Sequence, residues 1–194
     1  IVCSVVPQIT HIVKLAAEKI LEKDVMVLGP GIKTGMNILM DNPAQVGSDL
    51  IADAVGAIGE YEPPMIIFDM GTATTVCVVD GKKNYIGGMI LPGIRVSTDS
   101  LTSRTSQLPR IGVEEPRRLI GTNTIDCMKS GMIYSNAALI DGVILRMEEE
   151  LGEKATVIAT GGLAKCIVPY CKEEVILNDD LLLKGLLRVY LKNR

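Results

Sequence analysis

The chain has 194 residues, 47% of them hydrophobic, and a formal net charge of −3. That is enough apolar material for a sizeable core in one large domain or one and a half small ones. No apolar run approaches the roughly 20 residues a membrane span needs, so no membrane partner is expected. A nucleic-acid partner is also not expected, since the charge is mild and only 3% of residues are aromatic, with no Trp and one Phe.

Ile1-Val2-Cys3-Ser4-Val5-Val6-Pro7 has no basic flank and does not read as a signal peptide. It reads as the end of a buried strand, so the chain is expected to start inside a domain. Ile9, Ile12, Val13, Ala16 and Ile20 fall at helical spacing and predict an amphipathic helix from about Gln8 to Leu21. His11, the only histidine, lies off that stripe and reads as a solvated residue, so the general base is expected to be something other than His. Val25 to Leu28 reads as a short buried strand broken by Gly29-Pro30-Gly31. A helix is expected from Ser48 or Asp49 to about Gly59, and the Pro-rich Glu60–Pro64 stretch reads as a domain boundary.

Met65–Phe68 and Val76–Val79 read as strands, Asp80-Gly81 as a turn, and Asn84–Gly87 as the start of a third strand. An antiparallel meander is the expected result. A helix should follow Pro92-Gly93, and a longer one should run from about Asn123 to Leu151, with Asn123 as cap and Asp126 favouring the N-terminal dipole. Its apolar stripe is long enough to serve a second subunit as well as its own core, while Glu148, Glu149 and Glu150 read as a solvated face. Ala155–Thr160 reads as a strand and Leu181–Leu191 as a terminal helix. The five cysteines, Cys3, Cys77, Cys127, Cys166 and Cys171, form no C-x-x-C pair. They read as reduced thiols of a cytoplasmic protein, without zinc-ligand spacing and with Cys77 in the core.

Three places carry chemistry. In Asp69-Met70-Gly71-Thr72-Ala73-Thr74-Thr75 a strand ends in a carboxylate and a glycine follows two residues later. Gly71 lets backbone N–H groups approach an anion, the threonines add hydroxyls for phosphate oxygens, and Asp69 can hold a cation that accompanies nucleotide phosphates. The plainer reading is a hairpin rich in Thr because Thr suits strands. Gly47-Ser48-Asp49 places a carboxylate at a helix start, where it serves either as a cap or as a base for a substrate hydroxyl. Ala159-Thr160-Gly161-Gly162 follows a strand, and its paired glycines allow a flat ligand against backbone or make an ordinary strand-to-helix turn.

Taken in order, these motifs resemble those of the type III pantothenate kinases. The shared set includes Ser4-Val5-Val6-Pro7, Gly29-Pro30-Gly31-x-Lys33-Thr34-Gly35, Asp41-Asn42-Pro43, Gly47-x-Asp49, Asp69-x-Gly71-Thr72-Ala73-Thr74-Thr75, Gly87-Gly88, Pro92-Gly93, Leu108-Pro109, Gly121-x-Asn123-Thr124 and Ala159-Thr160-Gly161-Gly162. The resemblance implies an α/β chain of the ribonuclease H-like, actin-like ATPase superfamily. Residues 1–62 would be the remainder of a first ribonuclease H-like domain and 63–194 a second one. It implies a homodimer that phosphorylates pantothenate with ATP, opening coenzyme A synthesis, with Mg²⁺ and a monovalent cation, K⁺ or ammonium.

Carried over residue by residue, the resemblance makes Asp49 the catalytic base and Gly47, Ser48 and Thr124 contacts to pantothenate, Thr124 across a dimer interface. Asp69 becomes the monovalent-cation ligand, while Gly71, Thr72, Ala73, Thr74, Thr75, Gly161 and Gly162 serve ATP. The loop after Asp69 would hold the γ-phosphoryl group in line with the acceptor oxygen.

This sequence departs from the family pattern in three ways. The family's leading strand and Asp-x-Gly-Asn-Thr-type loop are not among these residues, so the 194 residues as they stand are expected to turn over poorly. Leu50 stands where the family usually has Arg, and Met40 where it usually has Tyr. An Arg can grip a carboxylate with two hydrogen bonds and Leu cannot. Three alternatives follow: a kinase for a different small hydroxy acid, a non-enzymatic accessory transcriptional regulator, and a degenerate copy kept as a dimer partner.

Overall fold

The computed structural model describes all 194 residues. Twelve regular elements alternate along the chain. These are α1 (Pro7–Leu21), β1 (Asn37–Ile38), α2 (Ser48–Ile58), β2 (Met65–Met70), β3 (Ala73–Val79), β4 (Asn84–Pro92), α3 (Ile94–Ser103), α4 (Thr124–Leu151), β5 (Thr156–Thr160), α5 (Ala164–Ile167), β6 (Ile176–Leu177) and α6 (Leu181–Lys192). Short 3-10 turns lie at Pro43–Gln45 and Val168–Tyr170.

The strands hydrogen-bond in the order β1-β4-β3-β2-β5-β6. β1 runs parallel to β4, with Ile38 opposite Tyr85, and β5 runs parallel to β6. Only Gly71 and Thr72 separate β2 from β3, a connection short enough for an antiparallel pair alone. The meander expected over β2, β3 and β4 is therefore present, and the fold is a mixed α/β sheet with helices.

Two compact units divide the chain. One comprises residues 1–65, 77–87 and 180–194, the other residues 66–76 and 88–179. In the first, α2 and α6 pack against each other around Leu28, Ala52, Val55, Leu186 and Val189. They approach closely because Gly56 and Gly185 lie between them: a Cβ on Gly56 would meet the Leu181 carbonyl at 2.5 Å, and one on Gly185 would collide with the Ala52 carbonyl. In the second unit, Ile66, Phe68, Met70 and Val76 from the strands pack on Met132, Ile133, Ile140 and Ile144 of α4. Alternate residues of β2 thus share one core, as strand geometry requires.

Several sequence expectations need correction. Val25–Leu28 is not a strand; Val27 makes only an isolated parallel bridge to Val2, and Ile1–Ser4 is half-buried. α1 forms where its periodicity placed it, yet it buries no residue, and its stripe is open at Ile9, Ile12, Val13 and Ile20. β3 starts three residues earlier than expected, because Ala73, Thr74 and Thr75 pair as strand. Glu148 does not belong to a solvated face: its carboxylate accepts the Ala155 N–H at 3.1 Å and pairs with Lys154 at 2.7 Å, tying off the end of α4. His11 is exposed and Cys77 buried, as read. No helix is long and apolar enough to cross a membrane.

Candidate active site

Within the first unit, the Gly47-Ser48-Asp49 segment opens α2 with Gly47 at the N-cap. Ser48 and Asp49 are half-buried. Asp49 Oδ1 accepts the Leu50 N–H at 2.9 Å. That bond engages one carboxylate oxygen with the helix end, so capping accounts for part of the residue and not all of it. The Ser48 hydroxyl is held by the Cys3 thiol at 3.2 Å and the Ser4 carbonyl at 3.4 Å, fastening the N-terminal segment to the start of α2.

Two further residues of this unit, Cys3 and Tyr85, sense the same carboxylate. Burial raises the Cys3 thiol's pKa; the Ser48 hydrogen bond opposes this, and the charges of Asp49 and Asp53 add to it. Burial, then the charges of Cys77 and Asp49, push the Tyr85 phenol above its ordinary value. Asp53 lies one helical turn beyond Asp49 and is fully buried. Sequence reading missed Cys3, Asp53 and Tyr85. Only Asp53 left a signal, its spacing of four from Asp49 on a helix. Met40 lies in the same unit, its sulfur 3.9 Å from where a Gly87 Cβ would stand.

Within the second unit, Asp69 is the half-buried penultimate residue of β2, and Gly71 and Thr72 form the exposed turn. The Gly71 N–H donates to the Ala73 carbonyl at 3.0 Å, which tightens the turn. Two glycines from other elements press on it. A Cβ on Gly93 would stand 2.7 Å from the Gly71 carbonyl, and one on Gly161 would stand 2.5 Å from Asp69 Oδ1 and 2.6 Å from the Met70 nitrogen. Gly161 also has φ +91°, in the left-handed region that favours glycine. Of the residues expected to serve ATP, Gly71, Thr72 and Gly161 therefore come together: a turn with a carboxylate at its foot and Gly161 packed against it.

The threonines of this loop are not equivalent. Thr72 is exposed, Thr75 half-buried, and Thr74 buried, with a hydroxyl that finds no hydrogen-bond partner within the chain. Beside Gly162 lies a recess of about 450 Å³ that Arg95, Asp99, Gly112 and Cys166 help to line. Thr124 stands exposed at the first position of α4. Its neighbours have structural duties: Asn123 Oδ1 caps the Asp126 N–H at 2.9 Å, and Gly121 lies too close to Cys127 to carry a side chain. Thr124 lines a mainly apolar groove of about 360 Å³ between α3 and α4, with Thr98, Leu101, Met128 and Asn136.

No cluster of three or more His, Cys, Asp or Glu side chains could hold a metal ion. Asp69, half-buried at the foot of the turn, is the residue there that could hold a cation.

Comparisons with known proteins name the family that the motifs resemble. A family model described as type III pantothenate kinase matches residues 1–146. A type III pantothenate kinase of Halalkalibacterium halodurans is 46% identical over 193 residues, covering 100% of this chain and 76% of the relative. One of Bacillus cytotoxicus is 45% identical over 193 residues, covering 100% of this chain and 74% of the relative. Among solved structures, a Campylobacter jejuni chain assigned to the Baf family of transcriptional activators superposes with a TM-score of 0.65 at 18% identity, covering 97% of this chain and 80% of its own. That likeness speaks to the fold.

Proposed function

This chain belongs to the type III pantothenate kinase family, a family of the actin-like ATPase fold, and we propose that it catalyses transfer of the ATP γ-phosphoryl group to pantothenate in coenzyme A biosynthesis. The observation that carries the reading is identity of 46% across the whole chain to a relative of that name. The tight Asp69–Thr72 turn supports it, as a feature suited to phosphate oxygens.

In this reading Asp49 orients the acceptor hydroxyl and takes its proton, using the carboxylate oxygen that the Leu50 N–H leaves over. Gly47 and Ser48 meet pantothenate through backbone, since the Ser48 hydroxyl is already engaged. Thr124 meets it from a second copy in a homodimer. Gly71, Thr72, Ala73, Thr74, Thr75, Gly161 and Gly162 form the ATP side, and Asp69 holds K⁺ or ammonium. A bound cation, like Mg²⁺ carried on ATP, offsets negative charge on the phosphates. Phosphoryl transfer of this kind is mostly positioning and charge neutralisation. We place the protein in the cytoplasm and read residues 1–62 and 63–194 as parts of two ribonuclease H-like domains.

Leu50 and Met40 make the acceptor's identity the point to test. ADP release by the intact protein should be fastest with pantothenate in a panel of small hydroxy acids. Turnover of another acid with pantothenate ignored would replace the substrate while leaving the kinase. ATP bound but consumed with no acceptor would overturn the activity.

A further inference from the structure

We propose that Gly47 is a positioning residue for Asp49, whose missing Cβ leaves the space into which the catalytic carboxylate folds. The inference rests on the reading of Asp49 as the acceptor-side base. An ideal Cβ built on Gly47 would stand against Asp49 Oδ1, well inside the 3.0 Å that real Cβ contacts essentially never breach. The same oxygen accepts the Leu50 N–H at 2.9 Å. One conformation of Asp49 thus depends on two things at once: a backbone donor one residue on and an empty side-chain position two residues back.

Backbone strain does not demand glycine here. Gly47 has φ −56° and ψ 138°, which any residue adopts. A Cβ would also meet no backbone atom closely; beyond Asp49 its nearest neighbour is Leu50 Cγ at 3.9 Å. The group that must yield is therefore the short Asp49 side chain. It would leave the Leu50 N–H and turn its carboxylate to a new direction while the helix stays in place. Glycine in this Gly-x-Asp arrangement sets the aim of the carboxylate, and a displacement of about 1 Å at a reacting group costs about 10²-fold in rate.

A helix-capping role gives the opposite expectation for one substitution. Ser caps a helix better than Gly, and Ala far worse. Both add a Cβ. In the intact protein, kcat and KM for pantothenate are measured by label transfer for Gly47→Ala, Gly47→Ser, Asp49→Asn and the double variant Gly47→Ser/Asp49→Asn, each with its melting temperature. Positioning predicts that Gly47→Ser melts at or above the parent yet loses about 10²-fold in kcat, with KM within a few-fold. It also predicts no further loss when Gly47→Ser is added to Asp49→Asn, because the two act through one group.

Parental kcat in Gly47→Ser overturns the proposal. So does a loss that multiplies on the Asp49→Asn background, a loss that tracks a fall in melting temperature, or a rise confined to KM. Parental kcat in Asp49→Asn would instead remove the underlying reading of Asp49, whatever Gly47 does.

Discussion

Thr74 and Asp80 show how differently two polar residues of one strand region are handled. Thr74 carries a buried hydroxyl with no partner in the chain, and an unpaired buried hydroxyl costs about 1–3 kcal/mol. Thr74→Val keeps the shape and removes the cost. It should raise stability by about 1 kcal/mol in denaturant titrations without nucleotide, and lowered stability would contradict the assignment. Asp80 closes the β3–β4 turn. Partial burial opposes its ionisation, but hydrogen bonds from the Asn84 side chain, Asn84 N–H and Lys82 N–H outweigh that and hold the carboxyl below its ordinary pKa. The unfolded chain therefore takes up the proton first. Asp80's contribution is complete above about pH 4 and is lost as pH falls through the lower folded value. Melting temperature measured down through that window should fall less steeply for Asp80→Asn than for the parent; parallel curves would refute the pairing.

At the scale of elements, the close crossing of α2 and α6 is the most exacting contact in the first unit. Gly185→Ala would drive a Cβ into the Ala52 carbonyl, a backbone atom that cannot swing aside. Overpacking of this kind costs about 1–3 kcal/mol, and because α2 carries Asp49, activity should fall together with stability. A variant as stable as the parent would show that the helices separate freely. Elements were legible in proportion to their length. α4 follows from 28 residues of repeating apolar positions with an Asn cap, and β2 from a short apolar run that pairing extends to Met70. β1 and β6, two residues each, are too short to show any period. β-branched Val25 and Val27 suggested a strand, but backbone pairing reaches only Val2, through the bridge at Val27.

Across the molecule, the order of short glycine motifs carried more information than any one of them. The Gly-x-Asp pair and the Asp-x-Gly turn could be read directly, because their residues are neighbours in sequence. The distant contacts around those motifs could not. Gly161 reaches Asp69 across 92 positions, and Cys3 reaches Ser48 across 45, so neither contact leaves a local signal. Nor does burial: the stripe on α1 has the same periodicity as a buried one and lies exposed.

The most direct test of the phosphoryl-transfer account is label transfer from γ-labelled ATP to pantothenate by the intact protein and its Asp49→Asn variant. The parent should form labelled phosphopantothenate, and the variant should lose about 10²–10⁴-fold in rate with ATP binding and melting temperature unchanged. Equal labelling by both proteins, or no labelling by a parent that binds ATP and pantothenate, would contradict it.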